Sequence, residues 1–290
     1  MNIKIGDSPT EKKTFQGHTL YIKRDDLLHR DFSGNKARKF HYFLHQEFPH
    51  IKKVVSYGSS QSNAMYSLSV LTKARKWAFE YHIQHLSNYL KENPNGNLKY
   101  ALKNGMRLIV DEKKPQKSQI EERETLFVEE GGRDFFAEYG LKILADEIII
   151  WKKENNIEEL NIFLPSGTGT TALYLQKHLT DSVYTVPCVG DSDYLKKQFL
   201  MLAEDEKHHP TILEPSKKRH FGKLYGEAYE MWLKLRQEVE IEFDLLYDPH
   251  GWLTLLEYPE IFKKPTLYIH QGGLIGNESM LERYERKWKK

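Results

Sequence analysis

Short runs of β-branched and aromatic residues alternate along this chain with longer stretches whose apolar positions recur every three or four residues. Val54-Val55-Ser56-Tyr57-Gly58 reads as a buried strand ending in glycine. Residues 63–78 follow, with Met65, Leu68, Val70 and Leu71 at helical spacing. Residues 106–110 and 161–164 are further strand candidates. The second runs into Pro165-Ser166-Gly167, after which residues 172–179 read as a helix. Late strands are predicted at 182–187 and 265–270. Lys91-Glu-Asn-Pro-Asn-Gly96 and residues 113–117 read as surface loops. Strands separated by helices imply crossover connections, so the expected fold class is α/β with open, twisted, mostly parallel sheets. In such sheets ligands sit at the carboxyl ends of the strands. The glycine-rich segments fall there, after Tyr57, Leu164 and His270.

Composition narrows the classes. A length of 290 residues suggests one large domain or two modest ones. Lys plus Arg total 43 against 41 Asp plus Glu, a formal net charge of +2, which argues against nucleic acid or an anionic membrane as obligatory partner. The mean hydropathy of −0.65 is polar, yet 17 Tyr, 14 Phe and 5 Trp provide rings for a substantial core. The single cysteine, Cys188, excludes an internal disulfide framework and a multi-cysteine metal site; after Pro187 it reads as a small buried apolar residue. His208-His209 cannot present both rings to one ion from a helix, and His29, His41, His45 and His50 read as helix surface, so no metal is expected. Arg286-Lys-Trp-Lys-Lys290 reads as a solvated helix end. No stretch has the apolar core of a signal peptide or the length of a membrane span, so a soluble cytoplasmic protein is expected.

Three segments could carry chemistry. Leu164-Pro-Ser-Gly-Thr-Gly-Thr-Thr-Ala172 combines a strand, a glycine-threonine loop and a helix start. Its backbone N–H groups and hydroxyls suit a phosphate; alternatively the Ser and Thr only cap a tight helix entry. It is neither a P-loop nor a GxGxxG turn. Ser33-Gly34-Asn35-Lys36-Ala37-Arg38-Lys39 places a lysine between glycine-asparagine and a helix. Lys36 could form a Schiff base if desolvated, or belong to a solvated basic face. Ser59-Ser60-Gln61-Ser62-Asn63, at a strand-to-helix turn, suits an amino-acid carboxylate or is an elaborate N-cap.

In this order and spacing the three segments resemble the pyridoxal-phosphate enzymes of the tryptophan synthase β-subunit type, and among them the 1-aminocyclopropane-1-carboxylate (ACC) deaminase and D-cysteine desulfhydrase family. Lys23-Arg-Asp-Asp26, Glu130-Gly-Gly-Arg133, Tyr225-Gly226, Tyr247-Asp248 and His270-Gln-Gly-Gly273 extend the resemblance from about Leu20 to Leu281. The resemblance implies two α/β domains with the cofactor in the cleft between them, residues 1–39 plus 137–290 forming the larger and 40–136 the inserted one. It also implies a homodimer.

Residue by residue, the resemblance makes Lys36 the lysine that binds pyridoxal phosphate covalently and then carries protons. Lys39 and Gly167, Thr168, Gly169, Thr170 and Thr171 match the phosphate anchors. Asn63 matches the side chain beside the ring hydroxyl, and Gln61 and Ser62 the loop around the substrate carboxylate, with Ser62 able to act on protons. Tyr247 and Tyr225 match two active-site tyrosines. Asp248 takes the place of a glutamate or hydroxyl residue facing the ring nitrogen, or opens a turn with Pro249. Gln271 replaces leucine or threonine beside the substrate, and a buried amide there favours a polar substrate group. The implied reaction releases ammonia and a 2-oxo acid from a small amino acid, desulfhydrase-like, with ACC ring opening as the alternative. A cofactor-binding relative without catalysis, and a nucleotide- or sugar-phosphate protein built on the SGTGTT loop, are the competing classes.

Overall fold

The computed structural model describes residues 3–120 and 123–288. The chain runs β1 (Thr10–Phe15), β2 (His18–Arg24), α1 (Gly34–His45), β3 (Lys53–Tyr57), α2 (Asn63–Arg75), β4 (Ala78–Ile83), α3 (Asn88–Glu92), α4 (Gly96–Lys103), β5 (Arg107–Val110), α5 (Lys117–Ile120) and β6 (Thr125–Val128). It continues α6 (Ala137–Glu154), β7 (Asn161–Ser166), α7 (Thr170–His178), β8 (Ser182–Pro187), α8 (Ser192–Leu200), β9 (Thr211–Ile212), α9 (Gly226–Glu238), α10 (Asp248–Leu255), β10 (Thr266–His270) and α11 (Gly276–Trp288).

Two sheets form. The larger has the order β1-β2-β10-β7-β8-β9, with only β1–β2 antiparallel. The smaller, β5-β4-β3-β6, is parallel throughout. Continuous burial explains the parallel arrangement: all six positions of β7, all five of β10 and all four of β6 are buried, as strands covered on both faces must be. Pro165 sits inside central β7, where a missing N–H would break a ladder. The β10–β7 pairing stops at Phe163, so the proline falls beyond it. The expected α/β class with mostly parallel sheets is the fold found.

The reading of 63–78 as one helix joins two elements. The helix stops at Lys76, which adopts a left-handed φ of 59° without being glycine, and Ala78 begins β4. Lys91 and Glu92, read as loop, end α3, and Gly96 opens α4. Of the C-terminal basic stretch, Arg286–Trp288 end α11, while Lys289 and Lys290 lie outside the described residues. Among the described residues, no helix is long and apolar enough to cross a membrane.

A buried ion network ties α1 to the larger sheet's helices. Arg38, fully buried, donates to Asp25 (Nη2–Oδ1 2.8 Å) and to Glu147 on α6 (Nη1–Oε1 2.5 Å). Lys23 reaches the same Glu147 at 2.6 Å and the Ser8 carbonyl at 2.6 Å. The Lys23-Arg-Asp-Asp26 motif therefore serves structure: it fixes the helix that carries Lys36 and Lys39.

Candidate active site

The carboxyl ends of β3, β7 and β10 surround a cavity of about 280 Å³, into which the starts of α1, α2, α7 and α10 converge. Lys36, Lys39, Gln61, Ser62, Asn63, Gly167 to Thr171, Tyr247, Asp248 and Gln271 all line it. Residues up to 235 positions apart in sequence, Lys36 and Gln271, thus share one wall.

The entry to α1 is shaped by contact with the end of β10. Gly34 has φ +67°, and a Cβ there would lie 1.9 Å from the Gln271 carbonyl oxygen, so only glycine fits. Asn35 N donates to that oxygen at 3.0 Å. Lys36 Nζ follows, donating to Asn35 Oδ1 at 3.1 Å. Its remaining exposure is to the cavity; this enclosure lowers its pKa from 10.5 to about 8, with Asp244 partly opposing the shift. Lys39, one turn on, donates to the Gly131 carbonyl at 3.0 Å and to Thr168 Oγ1 at 3.4 Å. Burial, then the charges of Lys36 and Arg133, push its pKa well below the ordinary range. Lys39, pressed by two other cations and offset by no acid, makes its end of the cavity a site for an anion.

The glycine-threonine loop provides the rest of that site. Gly169 caps α7 with φ +69°, and a Cβ there would meet the Phe199 ring at 2.3 Å. Thr168 and Thr170 hydroxyls lie 3.0 Å apart, while Thr171 Oγ1 is buried without a hydrogen-bond partner among the described residues. An orphan hydroxyl beside free helix N–H groups is a donor set awaiting an acceptor.

On the opposite wall, Ser62 Oγ accepts from Ala64 N at 3.2 Å and Met65 N at 3.4 Å, capping α2. Asn63 Oδ1 accepts from Asn97 at 2.7 Å. Gln61 turns its amide nitrogen to Asn95 (3.1 Å to the carbonyl, 3.0 Å to Oδ1), leaving its own Oε1 buried and unpartnered. Gln271 Nε2 donates to the Pro165 carbonyl at 2.6 Å, and its Oε1 accepts from Asn35 at 2.9 Å, leaving one N–H and one lone pair of the amide. Two protein bonds fix the orientation of Gln271 at the cavity wall.

Tyr247 borders the cavity beside Gly167 and packs at 5.2 Å on Phe221. Burial and nearby acids raise its pKa, keeping the phenol protonated. Tyr225 stands outside the cavity as N-cap of α9, its hydroxyl accepting from His220 N at 2.9 Å. Asp248 begins α10, with Oδ1 accepting from Tyr268 at 2.6 Å and Oδ2 from Asp244 N at 2.9 Å.

Sequence reasoning missed Asp244. Its Oδ1 accepts from Leu246 N at 2.9 Å and from Tyr247 N, forming the turn that presents Tyr247 and Asp248. Burial raises its pKa to about 6. An aspartate three residues before Tyr247 was the available signal. Glu130, from the Glu130–Arg133 motif, also lines the cavity, as do Phe221 and Tyr194, which nothing local in the sequence marks.

No family model matches the chain. It is 23% identical to a putative ACC deaminase of Thermotoga maritima over 90% of each chain. It is 22% identical to a putative mitochondrial D-cysteine desulfhydrase 2 of Oryza sativa subsp. japonica, covering 91% of this chain and 79% of that one. A crystal structure of an ACC deaminase homologue superposes with a TM-score of 0.81 at 19% identity, covering 98% of this chain and 94% of the other. The chain has the fold of an ACC deaminase homologue. The motif resemblance is thus matched by similarity along nearly the whole chain, and the expected fold class stands.

Proposed function

We propose that the chain is a pyridoxal-phosphate enzyme that removes ammonia from a small amino acid and leaves a 2-oxo acid, in the manner of a D-cysteine desulfhydrase. The observation that carries this reading is the pairing, across one cavity, of the lowered-pKa Lys36 amine with the Lys39 and Gly167–Thr171 anion cradle. The residues fit the cofactor. The cradle with its unpaired Thr171 hydroxyl suits the phosphate, the Lys36 amine suits the aldehyde, Asn63 suits the ring hydroxyl, and the Asp248 carboxylate suits the ring nitrogen. When bound, that cofactor takes up the electron pair left as a bond to the substrate's α-carbon breaks.

The protein's own groups do the rest. At neutral pH a fraction of Lys36 is already unprotonated, as a nucleophile must be, and once released the same amine can carry a proton at the α-carbon. Ser62, Gln61 and the start of α2 receive the substrate carboxylate, at the positive end of that helix's dipole. The Tyr247 hydroxyl, held protonated, is a proton donor toward the leaving group. Phe221 over Tyr247 narrows the water-facing side. The division into residues 40–136 and the remainder, homodimer assembly and a cytoplasmic location belong to this same reading.

Incubation of purified protein with D-cysteine, L-cysteine and ACC tests it. Ammonia with pyruvate and sulfide from D-cysteine is expected; ammonia with 2-oxobutanoate from ACC would move the assignment to ring opening. Protein that stays colourless with added pyridoxal phosphate would sink the reading.

A further inference from the structure

Tyr268 lies on β10, beneath the cavity rather than in its lining, and its hydroxyl donates to Asp248 Oδ1 at 2.6 Å. Both residues are buried, at 0% and 1% exposure. The phenol cannot swing away. Its ring stacks on Trp252 at 4.6 Å and 14°, with Phe163 at 5.7 Å and Phe243 at 5.8 Å on its other sides. Gly251 leaves room for the oxygen, since a Cβ there would approach it to 3.2 Å. The other oxygen of Asp248 is held by Asp244 N at 2.9 Å. A carboxylate gripped at both oxygens by immobile donors has one orientation.

Its electrostatic surroundings are otherwise hostile. Asp244 on the preceding turn and Asp26 beside His270 at the end of β10 are both acids, Cys188 is a buried thiol, and Lys36 lines the same cavity. Burial first, and the Asp244 charge second, raise the pKa of Asp248, whereas the Tyr268 hydrogen bond lowers it. Hydrogen bonds to a charged partner are the stronger kind, so this phenol is the main side-chain donor working to keep Asp248 ionised.

We propose that Tyr268 is a positioning residue for the reaction: by orienting Asp248 and stabilising its carboxylate, it keeps the proton shared between Asp248 and the cofactor's ring nitrogen on the nitrogen. This rests on the pyridoxal-phosphate reading above. Removing the hydroxyl makes the carboxylate more basic, and the proton passes from nitrogen to oxygen within the pair. The cofactor then becomes a weaker electron sink, with Lys36 and the phosphate cradle untouched.

The test is the ¹⁵N chemical shift of the ring nitrogen in holoenzyme carrying ¹⁵N-labelled pyridoxal phosphate, compared among wild type, Tyr268→Phe and Asp248→Asn. In Tyr268→Phe the ratio of nitrogen-bound to oxygen-bound proton is expected to fall about ten- to hundredfold. The shift moves toward the unprotonated value by the same amount across neutral pH, because the proton does not leave the pair. Asp248→Asn should show the unprotonated value outright. A ring-nitrogen shift in Tyr268→Phe equal to wild type, with Asp248→Asn displaced, overturns the role of Tyr268 alone. Unchanged shifts in both overturn the role of Asp248 as well, and wild-type protein that takes up no cofactor overturns the functional reading itself. Site-specific 3-fluorotyrosine at 268, a stronger donor of nearly the same shape, covers a poorly folded Tyr268→Phe. It should hold the nitrogen at least as protonated as wild type, and a shift toward the unprotonated value overturns the proposal.

Discussion

Lys36 and Lys39 project their amines into one cavity from successive turns of α1, and burial, then the charge of Lys36, lowers the pKa of Lys39. They differ in what they touch: Asn35 for the first, Gly131 and Thr168 for the second. On the proposed reading the first reacts and the second holds an anion.

Capture of aldehyde by Lys36 should follow its lowered pKa. The neutral amine grows about tenfold per pH unit below 8 and levels off above it. The initial rate of cofactor uptake by apoprotein, followed by absorbance, should show that profile and disappear in Lys36→Ala. A rate still climbing steeply toward pH 10 would contradict it. The folded state binds this proton less tightly than the unfolded chain does. The buried charge therefore costs stability below about pH 8, and that cost fades as pH rises toward 10.5.

Thr171→Val separates ligand binding from folding. Its hydroxyl is buried without a partner among the described residues, so replacing it by a methyl of similar shape should leave the cofactor-free protein as stable or slightly more so. Affinity for pyridoxal phosphate should fall by about 1–3 kcal/mol, roughly ten- to hundredfold. Thermal melts without ligand and equilibrium titrations with it give the two numbers. Lower stability with unchanged affinity would refute the assignment.

The buried network beneath α1 makes an opposite prediction. Arg38→Ala leaves Asp25 and Glu147 buried with their strongest partner gone, and should cost about 3–5 kcal/mol in urea denaturation. Exposed pairs such as Lys142–Asp146 should be worth less than about 1 kcal/mol. Comparable losses for Arg38→Ala and Lys142→Ala would show that the network is not a fixed foundation.

Gln61 is held at a distance by α11. Asn95, which receives its amide, donates to Glu282, and Tyr89 donates to the same carboxylate at 3.2 Å with Arg286 3.9 Å over its ring. Glu282→Ala should raise KM for the amino-acid substrate several-fold while kcat and cofactor absorbance stay near wild type. A change in kcat alone would mean that the loop is not what Glu282 supports.

Much of this was legible along the chain because the determinants are local. A glycine-threonine loop after an apolar strand can only be a helix entry rich in donors, and Gly34-Asn35-Lys36 marks a forced turn before a lysine. Other features depend on contacts that no local pattern contains. The orientation of Gln271 is set by Asn35 and by Pro165, which arrive from distant segments. Tyr225 lies outside the cavity because the 216–224 stretch folds over its hydroxyl. Helix α2 ends at a left-handed lysine, so the usual glycine signal was missing and β4 was absorbed into the helix. Tyr268 was hidden for a simpler reason: inside an apolar strand a tyrosine reads as core.

The seam between Gly34 and Gln271 has a mechanical consequence. Backbone presses on backbone there, and Asn35, Gln271 and Pro165 bind the start of α1 to the ends of β10 and β7 through both main chain and side chains. The amine of Lys36 is consequently anchored to the larger sheet as firmly as the anion cradle is. The separation of amine and cradle is therefore set by the larger sheet alone, whatever stands on the Ser59–Asn63 wall opposite them.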